Sequence, residues 1–270
     1  MLRSLLALAL VSVATPAIAQ TSTLSTGEEE SAICTDRPTN GNYACTVPKG
    51  RFQLEVDTFN WLRDDVGGER VDVVAFTNPV IKYGLTDSSD VQINWSPYIR
   101  ARTRDANGVL TIDDGSGDVT ARYKKRLTSA TADLQIALLP FVKLPTASDA
   151  IGIGKVEGGI AVPINYSVPG GWTITLGPQV NVLADDDGSG RHLGLTGLVN
   201  IAKSFGKFSV LNEIWTDQDI DPSGTVSQYS YNAALVWLAS PKLQFDLGAN
   251  FGLNRNTPDV VSYVGVSTRF

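Results

Sequence analysis

Residues 243–253 read Leu-Gln-Phe-Asp-Leu-Gly-Ala-Asn-Phe-Gly-Leu, in which every second residue is apolar and the residues between are polar or glycine. Side chains of an extended strand point alternately to its two faces. The stretch therefore predicts a β-strand with an apolar face that carries Phe245 and Leu247 and a hydrophilic face that carries Asp246. Strands of soluble proteins average about 5 or 6 residues, so this one is unusually long.

The same alternation recurs along most of the chain. The breaks between the alternating segments are in turn short and long, and the long breaks are the more acidic. This spacing predicts a series of β-hairpins. Twelve segments carry the pattern: residues 51–63, 69–85, 91–103, 117–127, 133–145, 155–167, 172–183, 192–204, 208–216, 226–238, 243–253 and 260–270.

An even number of long, one-sided strands predicts an all-β fold, an antiparallel up-and-down transmembrane β-barrel of about 12 strands over residues 51–270. In hydrocarbon an unpaired backbone N–H or C=O costs several kcal/mol, so strands that cross a membrane must close into a barrel. Short turns at one end and longer loops at the other are typical of bacterial outer-membrane barrels. The alternative is a secreted, soluble β-sandwich, in which the apolar faces would pack against each other.

Two groups of residues within the segments carry further expectations. Prolines remove a backbone donor from a strand and predict bulges or kinks at Pro97, Pro140, Pro163 and Pro178. Aromatic residues near segment ends are expected on the lipid-facing side, as in interfacial girdles: these are Trp95, Trp172, Tyr229, Tyr231, Trp237, Phe245 and Phe251.

The N-terminal region predicts export. Arg3, an apolar run over residues 5–13 and the small residues before Gln20 form a secretory signal peptide over residues 1–19. Cys34 and Cys45 are the only cysteines, and in an exported chain they predict one disulfide. Residues 20–50 are interpreted as a periplasmic lead-in or a partial plug, and the expected location is the bacterial outer membrane.

The C-terminal strand ends on an aromatic residue, Phe270, with Val264 and Val266 on the same face. This ending predicts an assembly signal for the barrel-assembly machinery. Thr268 departs from the apolar or aromatic residue usual at that position.

Composition excludes several classes of function. The chain has 22 Lys and Arg against 28 Asp and Glu, a net charge of −6, which argues against a nucleic-acid partner. One His and two Cys leave few ligands for a His/Cys metal site or a Ser/His/Asp triad. In outer-membrane phospholipases a His-x-Ser pair supplies the nucleophile, whereas here Gly194 follows His192 at that spacing. No enzyme, cofactor or metal site is predicted, and His192 is expected to form hydrogen bonds inside the barrel near its outer rim.

Two acidic loops, residues 185–190 and 217–221, have carboxylates at calcium-like spacing. The twelfth positions are Thr196 and Gln228, so the bidentate glutamate of an EF-hand is missing from both. These loops are interpreted as solvated segments that contact outer-membrane lipid and lipopolysaccharide through divalent ions.

A basic strip on two successive strands is the main candidate for a functional feature. On a lumen wall it would favour anionic solutes. The alternative is that its members pair with acids and partly fill the interior, for example if Arg102 lies opposite Asp118. The predicted lumen-lining residues are Arg100, Arg102, Asp118, Arg122, Lys124, Arg126, Lys143, Glu157, Glu213 and Asp246.

Several short blocks of the chain form a recognisable set: Thr35-Asp36-Arg37-Pro38, residues 47–55 (Val-Pro-Lys-Gly-Arg-Phe-Gln-Leu-Glu), Tyr83-Gly84-Leu85-Thr86-Asp87, Gly115-Ser116-Gly117-Asp118-Val119, Arg122-Tyr123-Lys124 and residues 140–146 (Pro-Phe-Val-Lys-Leu-Pro-Thr). Together they resemble the proteobacterial family labelled putative MetA-pathway of phenol degradation. The resemblance implies an outer-membrane, transporter-like β-barrel.

The expected function is therefore a channel for passive passage of small solutes, with anionic and aromatic molecules as candidates. The alternative is a closed structural or surface-interaction barrel without transport. Planar-bilayer conductance would separate the two.

Overall fold

The computed structural model describes residues 32–270, so the predicted signal peptide and the predicted mature start at Gln20 lie outside the described residues. Over the described range no helix is long and apolar enough to cross a membrane. The secondary structure consists of β1 (Phe52–Val66), β2 (Glu69–Thr86), β3 (Ser89–Asn94), β4 (Tyr98–Arg104), β5 (Leu110–Gly115), β6 (Val119–Arg126), β7 (Leu134–Leu144), β8 (Glu157–Ala161), β9 (Ile164–Val168), β10 (Trp172–Leu176), β11 (Gln179–Ala184), β12 (Arg191–Phe205), β13 (Phe208–Asp221), β14 (Gly224–Ser240), β15 (Leu243–Gly252) and β16 (Val260–Arg269).

These segments form one closed antiparallel barrel of twelve strands, as predicted. Four barrel strands consist of two collinear segments each, namely β3 with β4, β5 with β6, β8 with β9 and β10 with β11. For example, β2 pairs with both β3 and β4 in one continuous register. The barrel closes because β1 pairs with β2 on one side and with β16 on the other. The closure leaves neither β1 nor β16 as an edge strand, and at the loop end β5 pairs with β4 alone.

The breaks inside the barrel strands occur largely where proline removes a backbone donor. Pro97, Pro163 and Pro178 each lie between two collinear segments, as the sequence predicts. A further break lies between β5 and β6, around Gly117. Pro140 lies inside the unbroken β7, although the pairing of β7 with β6 skips the residues beside it. Pro140 therefore interrupts the pairing of β7 with β6 but does not break β7 itself.

Burial in this barrel is the reverse of that in a soluble protein. Large apolar side chains such as Ile93 and Leu247 are 55% and 54% exposed, whereas Gln53, Lys124 and Asn200 are almost fully buried. The seven aromatic residues predicted on the lipid-facing side are all exposed. Trp237 stacks between Phe208 and Phe245 there, with ring centroids 6.4 and 5.5 Å apart. The apolar faces thus point outward and the polar faces inward.

The barrel has two unlike ends. At the terminal end β1 begins and β16 finishes, and the Phe270 N–H donates to the Phe52 carbonyl over 2.8 Å. At the opposite, loop end the strands extend further than predicted. β5 occupies part of the predicted loop 104–116, and residues 222–223 alone connect β13 to β14. The predicted alternation of short and long connections is therefore only partly correct, because polar strands continue beyond the apolar band.

Candidate functional site

Residues 33–49 enter the barrel from its terminal end and return to it. The Ile33 N–H donates to the Pro241 carbonyl over 2.7 Å, next to the β14–β15 turn. Lys49 forms a parallel bridge with Gly84, near the β2–β3 turn at the same end. Between these points the segment makes its contacts with inward-facing side chains. We call residues 33–49 the plug segment.

A buried charge cluster holds the first half of the plug segment. The Asp36 carboxylate lies 2.5 Å from the Lys82 ammonium and 2.7 Å from the Lys124 ammonium. Lys82 also lies 2.5 Å from Glu55, and Lys124 donates to the Tyr43 carbonyl over 2.8 Å. One carboxylate of the plug segment is thereby shared between lysines of β2 and β6. Breaking such a buried pair by removing one partner costs about 3–5 kcal/mol.

The pKa of Asp36 shows how strongly its charge is held. Burial alone would raise the pKa of this carboxyl group, but the ammonium groups of Lys124 and Lys82 outweigh it and keep the pKa well below its usual value. A lowered pKa contributes stability above the unfolded value of about 3.9, and the contribution is lost as the pH falls below that value. Asp36 is therefore a charged tether at neutral pH.

Arg37 forms a second cluster beside the first, on β1 and β15. Its guanidinium lies 2.6 Å from Asp246 on β15 and also pairs with Asp57 on β1. It lies directly over Gly265, where a Cβ would stand 2.1 Å from the nearest guanidinium nitrogen. A side chain at this position would displace the guanidinium from its present place. Two adjacent residues of the plug segment thus bind opposite charges on different strands.

Backbone contacts extend the attachment around the circumference. Donated bonds run from Asn40 N–H to Glu213 (3.2 Å), from Ala44 N–H to Asn165 (2.6 Å), and from Val47 N–H to Asp90 (2.9 Å). The Tyr263 hydroxyl donates to the Pro38 carbonyl over 2.6 Å. Together with the charge clusters, these contacts involve β1, β2, β3, β6, β9, β13, β15 and β16. The plug segment therefore spans the lumen.

The disulfide between Cys34 and Cys45 closes the plug segment into a ring, with the two Cα atoms 6.3 Å apart. The bond is the one the sequence predicts. Tyr43 lies inside this ring, and its burial raises the pKa of the phenol to about 12. The phenol is neutral at physiological pH, so the interior charge of the ring comes from Asp36 and Arg37.

Above the plug segment lies a cavity that we call the vestibule. Its volume is about 640 Å³, and plug residues 37–40 contribute to its wall on the side of the terminal end. Amide, hydroxyl and carboxylate groups supply most of the remaining wall, and Trp215 is its one tryptophan. Its lining includes Asn60, Gln179, Asn181, Asp217, Gln228 and Asn250.

Eight of the ten predicted lumen residues lie on inward-facing positions. Lys124, Glu213 and Asp246 contact the plug segment, as described above. Lys143 pairs with Glu157 over 2.5 Å and lies 3.9 Å from Asp118. Arg126 donates to the Asp87 carbonyl over 2.6 Å, and Arg122 lies opposite the inward-facing Gln92. Much of the interior charge is thus internally paired.

Arg100 and Arg102 were predicted to line the lumen, and the structure places them on the outer face. In three neighbouring strands the inward and outward faces exchange at the same level of the barrel. The exchange occurs at the Asp57–Phe59 bulge of β1, at Thr77 of β2 with its positive φ of 57°, and at the break around Pro97 between β3 and β4. Arg100 consequently pairs with Asp114 over 2.9 Å, both side chains about half exposed.

The strand register around these residues also corrects an expectation. Arg102 lies opposite Ile112 and not opposite Asp118. The residues predicted as a loop between the two strands instead form β5, which shifts the pairing. Asp118 accepts hydrogen bonds from the backbone N–H groups of Thr146 and Ala147.

Asp36, Arg37 and Lys82 were absent from the predicted site. Two sequence signals point to Asp36 and Arg37: they lie in one of the blocks that resemble the family, and their adjacent opposite charges fall within a ring closed by two cysteines. Nothing in the alternation assigns their partners.

The family model described as "Putative MetA-pathway of phenol degradation" matches residues 35–270. The chain belongs to this family. The match begins within the plug segment and covers the whole barrel, so both parts of the structure belong to the family's pattern. The resemblance seen in the sequence is confirmed.

Solved structures show the same fold at low identity. The COG4313 outer membrane channel from Pseudomonas putida F1 is 13% identical with a TM-score of 0.66, over 87% of this chain and 100% of that chain. The beta domain of the Bordetella autotransporter BrkA is 9% identical with a TM-score of 0.51, over 83% and 100%. Comparison with curated proteins gives no match. The chain therefore has the barrel fold of bacterial outer-membrane proteins.

Proposed function

We propose that the protein is an outer-membrane channel for passive passage of small solutes, closed at rest by its plug segment. The observation that carries the proposal is the vestibule above a plug that is held mainly by ion pairs and hydrogen bonds. Such contacts exchange with water when the plug moves: each hydrogen bond contributes only about 0.5–1.5 kcal/mol net, and both charges of a separated ion pair regain their hydration. A dry apolar core would hold the segment more permanently. The channel named among the similar folds agrees with this role.

The orientation follows from the general architecture of outer-membrane barrels, in which both termini face the periplasm. The terminal end and the plug segment then lie toward the periplasm, and the vestibule opens outward. Export by the signal peptide over residues 1–19, and recognition of Phe270 by the barrel-assembly machinery, belong to the same proposal.

The vestibule indicates the class of solute. Its wall offers amide and hydroxyl groups, with Arg37 and Asp217 as charges of both signs. This lining suits small, hydrogen-bonding molecules, including carboxylates and aromatic acids that could stack on Trp215.

The predicted basic strip consists of Arg100, Arg102, Arg122, Lys124 and Arg126. Its expected anion preference is reduced, because the first two face outward and Lys124 is neutralised by Asp36. Arg122 and Arg126 are inward cations that make no ion pair among the described residues, and Arg122 lies the deeper of the two in the barrel wall, opposite Gln92.

Removing the disulfide should increase passage. Ring closure of this length restricts the free segment by roughly 3 kcal/mol in the chain-entropy model, so the Cys34→Ser/Cys45→Ser variant should populate a displaced plug about a hundredfold more. Liposome-swelling rates with a panel of sugars and carboxylates would then rise. Reduction and reoxidation of the wild-type barrel supply the matched control, and unchanged swelling in the folded variant would contradict the proposal.

Selectivity should depend on Arg122 and not on the outward-facing arginines. In the Cys34→Ser/Cys45→Ser background, Arg122→Gln should lower the anion-to-cation permeability ratio about two- to fivefold, because it removes a lumen charge near the path. Arg100→Gln/Arg102→Gln should leave the ratio unchanged. Reversal potentials in a salt gradient measure it. The opposite pattern would show that the two faces are assigned wrongly.

A closed barrel with a structural or surface-interaction role is the second candidate, and the circumferential attachment of the plug favours it. In that case folded protein would stay silent in planar bilayers even after the plug contacts are weakened. The outward Arg100 and Arg102, and the acidic loops acting through divalent ions, are proposed to contact lipopolysaccharide phosphates in either case. A catalytic role is not proposed.

A further inference from the structure

A compact group of side chains lies at the loop end of β11, β12 and β13. The Nδ1 of His192 lies 2.9 Å from Asp185 Oδ1 and 3.2 Å from Asp221 Oδ2. Its Nε2 lies 2.6 Å from Asp219 Oδ1. The histidine side chain is only 5% exposed, and that of Asp221 only 6%. Both ring nitrogens of a nearly buried imidazole thus face carboxylates.

Strand register builds this group. Gly194 of β12 pairs with Asp219 of β13, so extending the register by two residues on each strand puts His192 opposite Asp221. All four of its members therefore project from adjacent strand ends toward the same side. Glycine makes room: a Cβ on Gly190 would stand 2.2 Å from the Asp185 carboxylate. The arrangement joins residues that are far apart in the chain.

The group is not satisfied as it stands. A neutral imidazole has one N–H and can donate to one carboxylate only. Although Nε2 and Asp219 Oδ1 are close, both are buried atoms that complete no hydrogen bond. Even a doubly protonated ring leaves three carboxylates around a single positive charge. Buried polar atoms are normally satisfied, so the geometry calls for another cation.

We propose that Asp185, His192 and Asp221 bind a divalent transition-metal ion, with Zn²⁺ as the reference ion. Imidazole nitrogen and carboxylate oxygen are both zinc ligands at about 2.0–2.2 Å, which separates neighbouring ligand atoms by roughly 3.3 Å in a tetrahedron. The three ligand atoms already lie within 4.8 Å of one another. Small side-chain rotations therefore suffice to close the site.

Surrounding groups support the ligands. Asp221 accepts hydrogen bonds from the backbone N–H groups of Asp186 (3.0 Å) and Ser223 (2.6 Å), which orient its carboxylate. With Nδ1 on the metal, Nε2–H would donate to Asp219, the carboxylate–histidine–metal arrangement that fixes ring orientation. An imidazole ligand favours zinc, copper or nickel over magnesium and calcium. The proposal is independent of solute passage, because it concerns the rim of the barrel.

Equilibrium dialysis of the folded, full-length barrel against Zn²⁺ after chelator treatment tests the proposal. We expect one Zn²⁺ per barrel that a hundredfold excess of Mg²⁺ or Ca²⁺ does not displace. His192→Asn and Asp221→Asn should each weaken binding at least tenfold. Asp187→Asn is the matched control, because it removes a carboxylate from the same loop but lies outside the group, and it should bind as wild type does.

Several results would overturn the site. They are less than one bound Zn²⁺ in the wild-type barrel, full displacement by Mg²⁺ or Ca²⁺, wild-type binding in both ligand variants, or an equal loss in Asp187→Asn. Heat-modifiable migration in gels verifies that each variant is folded. The number of Zn²⁺ ions bound by the wild-type barrel, and the competition by Mg²⁺, test the proposed site even if one variant fails to fold.

Discussion

Replacing Asp36 by lysine is expected to open the barrel. The substitution sets a third ammonium group beside Lys82 and Lys124 and removes the carboxylate that both now contact. Losing one partner of a buried pair costs about 3–5 kcal/mol, which exceeds the net contribution of several hydrogen bonds of the plug segment. The population with a displaced plug should increase at least about hundredfold. Single-channel recordings in planar bilayers should show long open steps where the wild-type barrel is mostly silent.

Two variants control for a nonspecific effect of the added charge. Asp133→Lys makes the same change at the exposed β6–β7 turn of the terminal end, away from the plug segment, and should leave conductance unchanged. Lys124→Asp in the Asp36→Lys background exchanges the two charges and should restore most of the closure. A folded Asp36→Lys barrel that stays silent would show that the ion cluster does not hold the lumen shut, and would favour the structural role.

The barrel could be predicted because alternation is a local property of the backbone. A membrane-exposed strand must present one apolar face over its whole crossing, so segments such as 243–253 reveal both their conformation and their orientation. The even count then implies closure. The lengths of the strands were less predictable, since β13 continues past the apolar band as a polar strand that resembles a loop in composition.

The site was harder to predict, because the face on which a strand residue lies is inferred from its odd or even position. One bulge or break in the strand exchanges the two faces for all residues that follow. The break at Pro97, beside the irregularity at Thr77 of the neighbouring strand, places Arg100 on the outer face and not in the lumen. The sequence of its segment nevertheless alternates regularly between apolar and polar residues. The sequence predicts a bulge or kink at Pro97, but the face of the residues after it depends on how many residues lie in the break.

The residues that contact each inward-facing side chain were still harder to predict. Alternation places Lys124 on an inward face, yet its counter-ion comes from Asp36, in a segment that has no alternation at all. The His192 group was unpredictable for the same reason. Its three carboxylates come from two segments, residues 185–190 and 217–221, and the spacing within each segment does not show that the two meet. Distances across a barrel depend on the register of every intervening strand, and that register is not a local property.

Leu247→Arg is expected to destabilise the barrel by about 2–4 kcal/mol in a bilayer. Leu247 lies near the middle of β15, is 54% exposed, and neighbours Val264 and Leu235 on the same outer face. In a soluble protein so exposed a position would tolerate arginine within about 0.5 kcal/mol. Here the exposed face contacts acyl chains, so the guanidinium must be carried into hydrocarbon. Equilibrium unfolding in guanidinium chloride, with the barrel in phosphatidylcholine vesicles, measures the difference.

Leu85→Arg provides the matched control, because it makes the same exchange at a 41% exposed leucine next to the β2–β3 turn. Near the interface the side chain can reach water and headgroups, so the expected loss is only about 0–1 kcal/mol. The two leucines have similar exposed fractions, so the difference between their expected losses depends on how deep each lies in the bilayer. Equal, small losses at both positions would mean that the apolar face does not contact lipid, and the transmembrane assignment would then fail together with the channel proposal.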